Sequence, residues 1–145
     1  MTNDSVETMK AIARRFFEEV WNQGNEEAID AYLAAETVGN SPSFGTGREA
    51  FRDQWRTWRA AFPDIHFAVE DLVGEGDKVV TRWTMTGTHR GAFWGIPATG
   101  RRVTVTGMSL DRIADGRIVS GFDAWDELGL RRQLGTLPDE GLSRH

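Results

Sequence analysis

A chain of 145 residues can bury a core of its own, and it reads as one domain spanning 1–145 that needs no staples. The absence of Cys excludes disulfides and thiolate chemistry, and His66, His89 and His145 stand at no metal-ligand spacing, so neither a metal site nor a cofactor is expected. A net charge of −5 with scattered arginines argues against nucleic acid, while the polar, acidic start and the lack of a long apolar run argue against a signal peptide or membrane span, leaving a soluble, cytoplasmic protein.

Residues 6–21 carry Met9, Ile12, Ala13, Phe16, Phe17, Val20 and Trp21 at helical spacing, with Asp4 or Ser5 as N-cap and Gly24 as the stop. Asn25 can then cap a second helix to about Ala35, and the short polar turn between them predicts a helical hairpin. The stretch T-V-G-N-S-P-S-F-G-T-G is a loop, with room for a short edge strand near 37–40. A third helix runs from Gly47 to Phe62, with Phe51, Trp55, Trp58 and Phe62 as an aromatic stripe, and Pro63 ends it.

After Pro63 the apolar period becomes that of strands. Strands are expected over 65–72, 78–90, 103–113 and 118–125, with turns at E-G-D and A-D-G-R and a wide crossover, G-A-F-W-G-I-P-A-T-G, between the second and third. A short helical turn over D-E-L-G-L-R-R-Q-L-G follows. Helices first and hairpins after give an α+β fold, with a strongly curved antiparallel sheet wrapped around the helices as an open half-cone. Six Trp and eight Phe are enough to line its cavity for a flat, apolar or aromatic small molecule. Apolar residues on both faces of the long strands point to a homodimer through the outer sheet face.

Asp123 stands out, because Asp is depleted in strands and rarely buried unpaired. By parity it shares a face with Val119, Gly121 and Trp125, which suits the floor of a pocket. The competing reading is an Asp paired to an Arg or a backbone amide. Asp126, on the opposite face before L-G-L, is more simply a helix cap. His89 either holds the crossover loop or reaches Asp123 or a substrate carbonyl, and Arg82 and Asp111 can pair across the sheet.

The order F-F-E-E-V-W-N-Q-G-N, G-R-E-A-F, A-A-F-P-D, V-E-D-L-V-G-E-G-D-K-V-V, G-T-H-R-G-A-F-W-G-I-P-A-T-G-R-R-V and D-G-R-I-V resembles the SnoaL-like polyketide cyclases, members of the nuclear-transport-factor-like cone-fold superfamily. The resemblance spans about 6–135 and implies a metal-free and cofactor-free closure of a ring in an aromatic polyketide ester by intramolecular aldol condensation. It places the acid/base Asp of the last strand at Asp123 and the His of the crossover segment at His89, the two catalytic candidates. A second pocket His of the pattern falls on Ser109, which cannot supply an imidazole's charge or proton. Phe16, Val20, Asn40, Trp55 and Phe62 are expected to contact substrate from the helices and loop, and Trp83, Trp94, Gly107, Ser109 and Trp125 from the sheet and crossover. An epoxide hydrolase or isomerase, with Arg82 as the strand Arg to consider, and a non-catalytic binding module are the alternatives on this fold.

Overall fold

The computed structural model describes residues 5–39 and 46–136. Helix α1 (Val6–Arg15) is capped by Ser5, whose Oγ accepts from Thr8 N–H at 3.1 Å. It runs straight into a π-helical segment, Phe16–Asn22, in which Gln23 N–H reaches back five residues to the Glu18 carbonyl at 2.8 Å. The wider winding turns Phe16, Phe17, Val20 and Trp21 all inward, four buried side chains in one turn and a half.

Helix α2 (Glu27–Tyr32) is shorter than the apolar spacing predicts. Leu33–Gly39 leaves it as strand β1 and pairs in parallel with the last strand, with a bulge between Leu33 and Val38. The unpaired backbone of a sheet edge outcompetes one more helical turn, giving Leu33, Val38 and Gly39 partners on the last strand. Helix α3 (Arg48–Ala61) follows the expected stripe. It is bolted to the π segment: Trp55 Nε1 donates to the Val20 carbonyl and Arg59 Nη1 to the Trp21 carbonyl, both at 2.8 Å. Asn22 then stands in for a strand residue, exchanging two hydrogen bonds with the Phe67 backbone at 2.7 and 2.9 Å.

Strands β2 (His66–Glu75), β3 (Lys78–Thr88), β4 (Arg102–Ala114) and β5 (Arg117–Trp125) form antiparallel neighbours in the order β1-β5-β4-β3-β2, and α4 (Glu127–Gln133) closes the described chain. The sheet is thus mixed only at its β1 edge and is not closed. Among the described residues no helix is long and apolar enough to cross a membrane.

Register across β3, β4 and β5 creates three rows on the inner face. Trp83, Gly107 and Trp125 are partners in one, Thr81, Ser109 and Asp123 in the next, and Val79, Asp111 and Gly121 in the third. Gly107 is a steric requirement: a Cβ there would lie 2.5 Å from Trp83 Cζ2 and 2.7 Å from Trp125 Cβ. Gly107→Ala should therefore cost about 1–3 kcal/mol, as overpacking does. Urea unfolding of the variant measures it, and an unchanged midpoint would show that the two indoles do not meet over this glycine.

Candidate active site

Between the concave sheet face and the helices lies a cavity of about 520 Å³, the size of a pocket for a multi-ring ligand. Phe16, Trp83, Trp94, Ser109, Asp123 and Trp125, six of the residues expected at the site, line it. Val20, Trp55 and Phe62 do not, because they are packed behind the wall: Trp55 is spent on the Val20 carbonyl, and Phe62 lies against His89 and Phe93. Gly107 is not a lining residue either, since the two Trp rings it makes room for cover it. Asn40 lies outside the described residues.

His89 does not come to Asp123. It is fully buried under Phe62, and its Nδ1 accepts from Thr99 N–H at 3.2 Å and contacts Thr99 Oγ1 at 2.9 Å. With Nδ1 an acceptor, the neutral ring carries its proton on Nε2, which is buried without a hydrogen-bond partner. Its backbone also bonds Arg101 and Gly100, each at 2.8 Å. This is the loop-holding alternative, and it fixes the crossover whose tip reaches over the cavity.

At that tip Phe93 and Ile96 exchange backbone hydrogen bonds around Trp94 and Gly95, which have φ of 51° and 75°. A hairpin turn of this type favours Asn-Gly, and a bulky residue at positive φ is strained. The strain is held by packing: Trp94 stacks near Trp125 and carries the Arg131 guanidinium 4.1 Å from its ring centroid. Arg131 is itself paired with Glu127 at 2.9 Å. The cavity mouth is thus built from Trp58, Phe93, Trp94 and Trp125, four rings in mutual contact.

The polar floor is a short chain of donors. Trp83 Nε1 donates to Ser109 Oγ at 3.0 Å, which leaves the Ser109 hydroxyl proton for the Asp123 carboxylate. Burial raises Asp123 above the ordinary carboxylate range, and the Ser109 hydrogen bond acts against that rise. Asp126, by contrast, is a helix cap, its Oδ1 accepting from Gly129 N–H at 2.8 Å.

A second carboxyl shares the floor. Asp111 is 7% exposed, lines the same cavity, and is pushed up to about 8 by burial and by the negative Asp123 beside it. The expected Asp111–Arg82 pair does not form. Arg82 points to the outer face and bonds Asp71 Oδ2 at 2.7 Å. That also takes from the cavity the Arg on which an epoxide hydrolase reading leaned. The parity of Val103, Val105, Gly107, Ser109, Asp111 and Ile113 was the signal that places Asp111 inward.

An α+β half-cone with an aromatic cavity and carboxyls at its floor is the architecture of the cone-fold class. The SnoaL-like polyketide cyclase model matches residues 11–134, and the chain belongs to that family. Aklanonic acid methyl ester cyclase DnrD of Streptomyces peucetius is 31% identical over 123 residues, 81% of this chain and 84% of the relative. Nogalonic acid methyl ester cyclase of Streptomyces nogalater is 30% identical over 79% and 89% of the two chains. TsrD from Streptomyces laurentii has the same fold, with a TM-score of 0.85, 34% identity, and coverage of 93% of this chain and 100% of its own.

Stability should register the Asp111 proton. An unfolded Asp titrates near 3.9, so between about pH 4 and 8 the folded protein keeps a proton that the unfolded chain releases. More protons on the folded side means that stability falls as pH rises through this window, by up to about 1.4 kcal/mol per pH unit for one proton. Asp111→Asn removes the group, so its unfolding free energy should gain on the parent steadily from pH 5 to 8 in parallel urea titrations. Parallel curves for the two proteins would contradict the shift.

Proposed function

We propose that this chain cyclises an aromatic polyketide ester by intramolecular aldol condensation, with Asp123 as the acid and base. The observation that carries the reading is Asp123 itself: a carboxyl raised by burial, oriented by Ser109, at the floor of an aromatic cavity of about 520 Å³. The cyclase relatives described above are named for methyl esters of aklanonic and nogalonic acid, and a slot walled by Trp83, Trp94 and Trp125 suits a flat aromatic substrate.

The chemistry asks little of the base. A carbon between two carbonyls is acidic enough for a carboxylate whose affinity for protons has been raised toward working pH. Asp123 takes the C–H proton and leaves an enolate. The enolate carbon attacks the ketone carbon held beside it, forming the C–C bond. The resulting alkoxide takes the proton back from Asp123, so the net change is an isomerisation. Ser109, in the position of the family's second pocket His, holds the carboxylate by a neutral hydrogen bond without adding positive charge. Asp123 thus keeps the high proton affinity that an imidazolium neighbour would lower.

Turnover of nogalonic acid methyl ester tests this. Asp123→Asn keeps the shape and removes the titrating group, and should lower kcat by about 10²–10⁴-fold while the protein stays folded. A variant that unfolds early, with its folded fraction turning over normally, would make Asp123 a structural residue.

We further infer a homodimer through the outer sheet face. Leu110 and Phe122 are direct cross-strand partners there, flanked by Met108, and Met108 and Phe122 are 50% and 59% exposed. Such a contiguous patch is one that a second copy can cover about a twofold axis. Sedimentation velocity at micromolar concentration should show a dimer for the parent and a monomer for Phe122→Glu. A monomeric parent would contradict the inference.

A further inference from the structure

We propose that Asp111 is a second catalytic carboxyl, which keeps its proton and donates that O–H to the oxyanion formed on the substrate as Asp123 removes a proton from carbon. The proposal rests on the acid/base reading of Asp123 and adds to it the group that stabilises the charge Asp123 creates.

Geometry carries it. Asp111 is opposite Gly121, and Asp123 is opposite Ser109, so the two carboxyls are diagonal neighbours on one face of β4 and β5. Diagonal pairs of this kind are within reach of a common small group. Gly121 leaves the space beside them open: a Cβ there would sit 3.0 Å from Asp111 Oδ1, so the carboxyl lies over the β5 backbone next to the Asp123 row. Both line the cavity.

An enolate oxygen in a dry, aromatic site needs a fixed donor, and such donors are worth most where water is excluded. Asp111 is the donor placed beside Asp123 in the register, and the nearest alternatives are engaged elsewhere. Ser109 gives its proton to Asp123, His89 is outside the cavity, and Arg131 is paired with Glu127 and stacked on the Trp94 ring. The titratable groups facing the cavity with Asp111 are Asp123 from β5 and Glu127 and Arg131 from α4, whereas β1, β3 and α3 present Thr37, Trp83, Met85, Gln54 and Thr57. Burial and then the charge of Asp123 raise Asp111 to about 8, so of these diagonal neighbours it is the more deeply buried Asp111 that holds its proton near neutral pH. The division is that of a base and a neutral carboxylic acid donor in one apolar site. Atoms balance: the transferred proton shuttles between substrate carbon, Asp123 and the product alkoxide, and the Asp111 proton is shared but never leaves.

The test uses the full-length protein with aspartate carboxyls labelled with carbon-13, as parent, Asp111→Asn, Asp111→Ala and Asp123→Asn. In the parent one carboxyl should titrate above pH 7 by NMR. It should vanish in Asp111→Asn and move down in Asp123→Asn, where the like charge is gone. With nogalonic acid methyl ester, kcat of the parent should fall as that group ionises at alkaline pH. Asp111→Ala should lose about 10²–10³-fold in kcat with KM little changed, as for removal of an oxyanion donor. Asp111→Asn, which keeps a weaker donor, should lose less and lack the alkaline fall. Binding of 1,8-dihydroxyanthraquinone, whose phenolic oxygen imitates the enolate, needs no turnover and should weaken at least tenfold in Asp111→Ala. A parent with no carboxyl titrating above pH 7, an alkaline fall that survives Asp111→Asn, or full kcat and dye affinity in Asp111→Ala would each overturn the proposal. If Asp111→Ala is fully active while Asp123→Asn is dead, only this proposal fails; if Asp123→Asn is fully active, the reading beneath it fails.

Discussion

The register of β4 between β3 and β5 is the constraint on which the site depends. It sets Trp83 against Gly107 and Trp125, Thr81 against Ser109 and Asp123, and Val79 against Asp111 and Gly121. Each row needs its small member. Gly107 lets two indoles approach across one strand, and Gly121 leaves room for the Asp111 carboxyl. A slip of β4 by one residue would turn its side chains to the other face and bring Met108 and Leu110 inward in place of Ser109 and Asp111. The apolar cost of exposing Val103, Val105 and Ile113, all buried, holds the strand in place.

The helical layer matters through its attachment to this sheet. The π segment brings Phe16, Phe17 and Trp21 to the cavity, and α3 grips its carbonyls through Trp55 and Arg59. Gly24, with φ of 66°, is where the chain turns away, and its missing side chain leaves space for the Arg59 guanidinium, 2.6 Å from where a Cβ would be. Asn22 ties the same segment to β2. The cavity wall is thus tied to the sheet and to α3, and at the mouth around Trp94 backbone strain is set against ring stacking and a guanidinium contact.

Two carboxyls on one apolar floor, one buried and one half-buried, cost stability, and a fold does not keep them for packing. The same burial that raises their proton affinity would serve the proposed chemistry, in which proton removal from carbon needs a base near working pH and a neutral donor for the charge that results. The fold separates these demands by depth. Asp123, partly exposed and hydrogen-bonded to Ser109, is the accessible member, and Asp111 is the deeper one.

Period, punctuation and composition were local signals, and they carried the fold. The switch from helical to alternating spacing after Pro63, the hairpin turns, and the inward parity of Asp123 and Trp125 could be read residue by residue. Local signals could not decide where chain segments distant in sequence meet. Leu33–Gly39 became a parallel edge strand because β5 offered it hydrogen-bond partners more than eighty residues away. His89 sits at the start of the crossover as expected, yet packing against Phe62 and Thr99 turned its ring from the cavity. Asp111 was legible as inward by parity, but an Arg on the neighbouring strand offered a simple partner, and only the register showed that Arg82 and Asp111 occupy opposite faces. A strand's own residues determine which side chains share a face; which face is buried, and beside what, is decided when the sheet meets its helices.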